Sequence, residues 1–396
     1  MAGHGRARGS GVVALCLLLV SLVACGGRAP QDGVRSEVQR VLDRRAAAVL
    51  AQDARAYAAT GGAPSYARLR AVPLAAWSYR VTEVRRDGDT ATADAELSYR
   101  VEGHDRAPVT AARTLRLVRS GDGRWTVASE RPAPKAAEQL WDQGAVSAVR
   151  GAHSLVLGAG QSRQRLREFA DLADGAVPAV SAAWGTGWAG RVVVLVPKSL
   201  DDMAGLLGSP ASSYRGIAAV TTGETGGGAK APADRIVVNP DAYAMLGHLG
   251  RQVVLTHETT HVATRAHTNA ATPLWLSEGY ADWVGYRETG RTPREAAPEL
   301  GSAVARGDLP EELPTDEDFG FSGDGGRLAR AYEGGWLACR LIAERWGEVK
   351  LDAFYRAVGA HGTRPGAVEG ALESVLGVSE ADFTASWREY LVAQLR

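Results

Sequence analysis

The most constraining feature of this chain is a pair of short segments. Residues 257–261 read His257-Glu258-Thr259-Thr260-His261, and residues 275–282 read Trp275-Leu276-Ser277-Glu278-Gly279-Tyr280-Ala281-Asp282. Apolar residues of the 251–262 stretch recur at helical spacing, and side chains four apart on a helix share a face, so His257 and His261 point at one spot. Glu258 lies about 100° around that helix from His257 and is free to address a water rather than an ion. Two imidazoles leave a tetrahedral metal short of a ligand. Glu278, on the next predicted helix, is the candidate third ligand, with a fourth position open. Asp282 sits one turn beyond Glu278, placed to accept the outward N–H of a ligating imidazole and so fix its tautomer. The fold must therefore bring two helices face to face around a single Zn²⁺ per chain. The competing reading is a surface helix that happens to carry two His and one Glu; the apolar context and the second carboxylate segment weigh against it.

The N-terminus reads as an address. Arg6 and Arg8 precede an apolar run at 12–23, and no Asp or Glu occurs before Asp32. The run is short for a bilayer span and ends in small residues, which indicates a signal peptide over residues 1–24. Leu22-Val23-Ala24-Cys25 resembles a bacterial lipobox, which implies lipid on Cys25, a tether over 25–34, and a chain held at the extracytoplasmic face of the cell membrane. Cleavage of a plain signal peptide near Ala24 is the alternative. Cys16 would leave with the signal and Cys339 stands in an apolar helical stretch, so no disulfide framework is expected. The 45 basic and 45 acidic residues balance, and only Lys135, Lys198, Lys230 and Lys350 are lysines. With no basic block, nucleic acid is excluded as the expected partner.

The remaining chain of about 370 residues is long enough for two domains. Residues 36–59 read as one long amphipathic helix ended by Gly61-Gly62. Alternating stretches at 77–84, 90–102, 109–118 and 125–128 follow as antiparallel strands, with Asp-Gly turns between them. This order, closing on Gly123-Arg124-Trp125-Thr126-Val127, resembles the nuclear transport factor 2-like group over residues 35–130. No acid or base there suggests chemistry, and Asp53 reads as a solvated carboxylate. The expected role is a spacer or recognition domain. Residues 131–149 read as a connector containing a helix. Short strands are expected at 154–157, 191–196, 216–221 and 235–238, and helices at 161–184, 200–207 and 241–249. The glycine-rich 222–230 stretch lacks phosphate-loop spacing and reads as a surface loop. Residues 292–326, with Pro293, Pro298, Pro310 and Pro314, read as a loop-rich insertion in an otherwise helical C-terminal half. The fold class is α+β: a helix with a curved antiparallel sheet, then a domain with a small mixed sheet and a mainly helical second half.

From these motifs, residues 150–396 resemble the gluzincin metallopeptidases of the peptidase MA-like group. The resemblance implies zinc on His257, His261 and Glu278, Glu258 as general base, Asp282 behind a zinc-ligating histidine, and hydrolysis of a peptide or protein substrate. Ala331-Tyr332-Glu333-Gly334-Gly335 resembles the family segment that brings a Tyr toward the tetrahedral intermediate, so Tyr332 is the candidate oxyanion donor; a core aromatic is its other reading. Tyr280 is expected behind Glu278, or else in the pocket. One of the strands 216–221 or 235–238 is expected to border the cleft. No Gly-Ala-Met-Glu-Asn-like signature is present, which turns the expectation from aminopeptidase to endopeptidase action and leaves the substrate open. Two other functions share these residues: a binding or assembly lipoprotein on a zinc-peptidase scaffold, and an amidase acting on cell-wall peptide.

Overall fold

The computed structural model describes residues 29–223, 231–320 and 325–396, with side chains from residue 33 onward. The signal-like segment, Cys25 and the glycine-rich residues 224–230 lie outside the described residues. Helix α1 (Ala29–Leu50) starts within the stretch assigned to the tether. It ends where Gln52 turns to φ 53°, and Asp53 then caps α2 (Ala54–Ala59) by accepting the Arg55 and Ala56 amides. The expected single helix over 36–59 is thus two, and Asp53 is a capping residue, because its carboxylate satisfies two amides that a helix start leaves unpaired. A short α3 (Ala63–Leu69) follows.

Four antiparallel strands, β1 (Leu74–Asp87), β2 (Thr90–Val101), β3 (Val109–Arg119) and β4 (Trp125–Pro132), pair in chain order. Strand β2 alternates without a break between half-buried and buried positions. Its inner face is Ala91, Ala93, Ala95, Leu97, Tyr99 and Val101, and α1 supplies Val38, Val41 and Leu42 to the same core. Helix α1 lies mainly against β1, whose Trp77, Tyr79 and Val81 face the same core.

The expected connector helix shrinks to one turn, α4 (Leu140–Gln143). Val146–Arg150 is instead strand β5, paired antiparallel to β6 (Ser154–Ala159). The second sheet therefore begins inside the stretch taken as connector. It continues through α5 (Arg163–Trp184), β7 (Val192–Val196), α6 (Leu200–Leu207), β8 (Ala219–Thr222) and β9 (Arg235–Val238), in the order β5-β6-β7-β9-β8. β6, β7 and β9 run parallel, and β8 returns antiparallel as one edge. The two sheets share a core through Leu155, Leu157 and Trp141. Polar contacts fasten them too: Arg113 donates to both Asp142 oxygens at 2.8 and 2.7 Å, and Arg235 reaches the buried Asp105 at 2.8 Å.

Helices follow: α7 (Pro240–Ala244), α8 (His248–Thr264), α9 (Leu274–Tyr286), α10 (Pro293–Ala296), α11 (Pro298–Ala305), α12 (Gly325–Trp346), α13 (Glu348–Ala360), α14 (Ala367–Ala371) and α15 (Glu380–Leu395). The region expected to be loop-rich thus holds α10 and α11. Pro293 and Pro298 occupy first helical positions, where a missing N–H costs nothing. The helical half has its own core around Trp275, Tyr280, Trp336, Phe354 and Trp387. No described helix is long and apolar enough to cross a membrane. The architecture is the expected mixed α and β class, an antiparallel sheet domain and a mainly helical C-terminal half.

Candidate metal centre

Helix α8 carries His257, Glu258 and His261 and packs between α5 and α9. Two of its buried threonines bond within the helix: Thr260 and Thr264 donate to the carbonyls four residues back at 2.8 and 3.0 Å, whereas the buried Thr259 hydroxyl has no partner among the described residues. Helix α9 approaches α8 and α12 closely because glycines stand at the crossings. A methyl at Gly279 would run into the Gly335 backbone, one at Gly335 into the Trp275 carbonyl, and one at Gly285 would crowd Val253. Those glycines let Glu278 and Tyr332 reach the α8 histidines.

The ligand atoms converge. His257 Nε2 lies 3.0 Å from His261 Nε2 and 3.2 Å from Glu278 Oε2, and His261 Nε2 lies 3.4 Å from the same carboxylate oxygen. Donors around 2.0–2.2 Å from a tetrahedral zinc are separated from one another by roughly 3.3–3.6 Å. The three separations lie at or a few tenths of an ångström below that range, the donor set suits the ion, and these groups form the one possible metal cluster among the described residues. His257 Nδ1 donates to Asp282 Oδ1 at 2.8 Å, which leaves Nε2 as the ligating atom. The fold thus brings His257, His261, Glu278 and Asp282 together.

Charge in the cluster is coupled. Burial alone would lower the pKa of His257, but the Asp282 and Glu278 carboxylates hold it well above its ordinary value. Burial would raise that of Glu278, yet the two imidazoles hold it below the usual carboxylate range. Tyr332, on α12, faces the same spot, its ring 6.4 Å from that of His257. Burial, then the Glu278, Asp282 and Glu258 charges, push its hydroxyl well above 10, so it stays a proton donor. Tyr280 turns away: it is fully buried among Trp184, Trp283 and Tyr355 and donates to Asp352 at 2.5 Å. Cys339 is a buried free thiol behind α9, as expected.

A cleft of about 420 Å³ opens beside His257 and Glu258. Gly216–Ala219 form one wall, and Tyr286, Leu328, Tyr332 and Trp336 the other. Of the two candidate strands, β8 is the one at the sheet edge; β9 lies inside the sheet. Two features here had no signal in the sequence. Thr221 of β8 donates to Glu258 Oε2 at 2.6 Å, across 37 residues of chain. Glu333 also lines the cleft; burial pushes it up to about 7, although it accepts the Leu300 and Glu299 amides at the start of α11.

No protein-family model and no curated protein matches this sequence. Among solved structures, native yeast LTA4 hydrolase aligns over 69% of this chain and 43% of its own, at 13% identity and TM-score 0.38. A mutant M1 zinc metallopeptidase from Deinococcus radiodurans, bound to a Tyr-Ser-Ala substrate, aligns over 80% of this chain and 61% of its own, at 13% identity and TM-score 0.34. A two-domain M1 zinc metallopeptidase mutant bound to L-arginine aligns over 81% and 94%, at 11% identity and TM-score 0.35. The chain spans less than two thirds of the first two.

Proposed function

We propose that this protein hydrolyses peptide bonds with the help of one zinc ion, as an endopeptidase. The observation that carries the reading is the convergence of His257, His261 and Glu278 on one point, with a carboxylate, Glu258, at the same cleft. When bound there, zinc lowers the pKa of a water and polarises the scissile carbonyl. Glu258 takes the proton of the attacking water and delivers it to the departing amine. Asp282 fixes the ring of His257. Tyr332, protonated and facing the centre, donates to the oxygen that gains charge in the transition state.

The partnered carboxylates of the cleft support the endopeptidase reading. Glu258 is bonded to Thr221, Asp282 to His257, and Glu333 to two amides. Each carboxylate among the described residues lining the cleft already has a protein partner or a role in the proposed chemistry, which disfavours its use in holding a free substrate amine. An extended peptide lies along the exposed edge of β8 instead, held through its backbone.

The location is a proposal of a separate kind: lipid on Cys25 holds the protein on the extracytoplasmic face of the membrane, and the N-terminal sheet domain, of the nuclear transport factor 2-like group, spaces the centre from that anchor. Intact-mass analysis of membrane-extracted protein checks it, and a first residue other than a lipidated Cys25 refutes it. For the activity, the test is a mixed-peptide digest by the zinc-loaded protein, read by mass spectrometry with and without chelator. Internal cleavages that vanish with chelator support the reading; stepwise trimming from peptide N-termini, or no cleavage at all, refutes it.

A further inference from the structure

We infer that Thr221 is a positioning residue for Glu258, fixing which carboxylate oxygen faces the cleft and tying the base to the strand along which substrate would lie. This rests on the peptidase reading for its kinetic consequence, but not for its structural one. Thr221 Oγ1 has two acceptors on the same residue, the Glu258 carboxylate Oε2 at 2.6 Å and the Glu258 carbonyl at 3.1 Å. A hydroxyl has one proton to give, and the shorter contact to the charged oxygen takes it. No other described group donates to that carboxylate, so the orientation of this side chain, on a residue only 7% exposed, rests on this one bond. With Oε2 held by Thr221, Oε1 is the oxygen left to accept a proton from water.

The residue type and the strand both suit the task. Threonine is stiff at χ1, so its hydroxyl is aimed by the backbone rather than by chance. That backbone is β8, paired on one side only: Thr221 stands opposite Ile236 of β9, and the other side of the strand is a sheet edge. A peptide pairing with that edge would order β8, and ordering β8 would order Thr221 and, through it, Glu258. Docking of the substrate backbone and alignment of the base would then be one event. The consequence would fall on turnover more than on substrate affinity, since Thr221 meets Glu258 rather than substrate.

The test compares wild type, Thr221→Val, which keeps the shape and removes the donor, and Thr221→Ser, which keeps the donor. Hydrogen bonds to charged groups are of a size that predicts a drop in kcat of about tenfold or more for Thr221→Val, with KM within about twofold. Zinc content should be unchanged, and Thr221→Ser should restore most of the rate. The second measurement needs no activity: crystal structures of the metal-free proteins should show Glu258 in one ordered rotamer in wild type and Thr221→Ser, and in a different or split rotamer in Thr221→Val. An unchanged Glu258 rotamer in Thr221→Val overturns the inference, whether or not the wild type cleaves peptides. So does a kcat that Thr221→Val leaves intact, or one that Thr221→Ser fails to restore. An inactive wild type with the expected rotamer change refutes the peptidase reading alone.

Discussion

The protein buries charge in two places, for different ends. In the N-terminal half, Arg113 is almost fully enclosed with Asp142 and Glu130, and Arg45 lies over the Tyr57 ring while donating to Gly61 and Thr60. In the C-terminal half, His257 and His261 face Glu278 and Asp282 beside an open cleft. The first cluster uses guanidinium, which keeps its proton at all working pH and presents a rigid fork to a carboxylate. Its bidentate contact with Asp142 pins the connector to the sheet. The second uses imidazole, which exchanges its proton near neutrality. Its ring nitrogens and carboxylate oxygen aim at a shared point rather than closing on fixed partners. Buried charge built on arginine is suited to scaffold; buried charge built from groups that trade protons, with atoms converging beside a cleft, is suited to chemistry.

That contrast breaks most visibly on metal content. His261→Ala removes one of the three candidate ligands from the second cluster and should leave the purified protein with little of the roughly one zinc per chain expected of the wild type. Elemental analysis reads it directly. The same substitution should cost the fold little when both proteins are metal-free. Full zinc retention would remove His261 from the ligand set. Arg113→Ala should do the opposite: metal content stays, while stability drops by about 3–5 kcal/mol, the range for stripping one partner from a buried ion pair. Denaturant melts of the metal-free proteins measure it. A loss near zero would mean that water reaches Asp142 and Glu130 easily, and that the first cluster is not a closed one.

Glu258→Gln sharpens the comparison within the second cluster. Size and most hydrogen bonding are kept, and the proton acceptor is removed. Turnover should fall by roughly 10²-fold or more with zinc still bound. Near-normal turnover by the zinc-loaded variant would rule Glu258 out as base. Tyr332→Phe should have a smaller effect, on kcat rather than KM, if its hydroxyl meets the transition state. An unchanged rate would return Tyr332 to the core aromatics, where its contact with Phe319 already places part of it.

The two clusters were unequally legible in sequence. The candidate metal centre was legible because its geometry is local: four-residue spacings on α8 and on α9 set the faces of His257, His261, Glu278 and Asp282. What closes the site was hidden. Nothing in the spacing of Thr221 and Glu258 connects them, and Gly279 and Gly335 look like ordinary helix glycines until α9 and α12 are seen to cross there. The fold showed the same divide. The alternation of β2 revealed its strand, whereas β5, five residues long, is too short to display a period and was absorbed into a connector helix. Gln52 ends α1 with a left-handed turn that no proline or glycine announces. Pro293 and Pro298 suggested loop because a proline reads alike at a helix start and in a coil; only the turn that follows separates the two.

The smallest effect is the most diagnostic of the difference, because it is a matter of slope. In the metal-free protein, Asp282 and Glu278 raise the pKa of His257 well above its ordinary value despite burial. Between the unfolded value, about 6.5, and that raised one, the folded chain holds more protons than the unfolded chain, so stability falls as pH rises through this window. The contribution is present in full below the unfolded value. Zinc must take Nε2 of His257 from its proton, so binding within this window should release a proton from that ring, and affinity should weaken as pH falls. Metal then stabilises the fold more strongly at higher pH, since it binds the native chain alone. Thermal melts from about pH 6 to pH 9 should therefore show the metal-free protein losing stability with rising pH and a growing gap between it and the protein in excess zinc. Calorimetry in buffers of different ionisation enthalpy gives the proton count. Arg113→Ala should keep that pH-dependent gap, because the arginine cluster does not exchange protons in this range, whereas His257→Ala, which removes a ligand, should abolish the gap at every pH. A gap that stays constant with pH would mean that His257 is already neutral in the metal-free fold, and that Asp282 orients the ring without charging it.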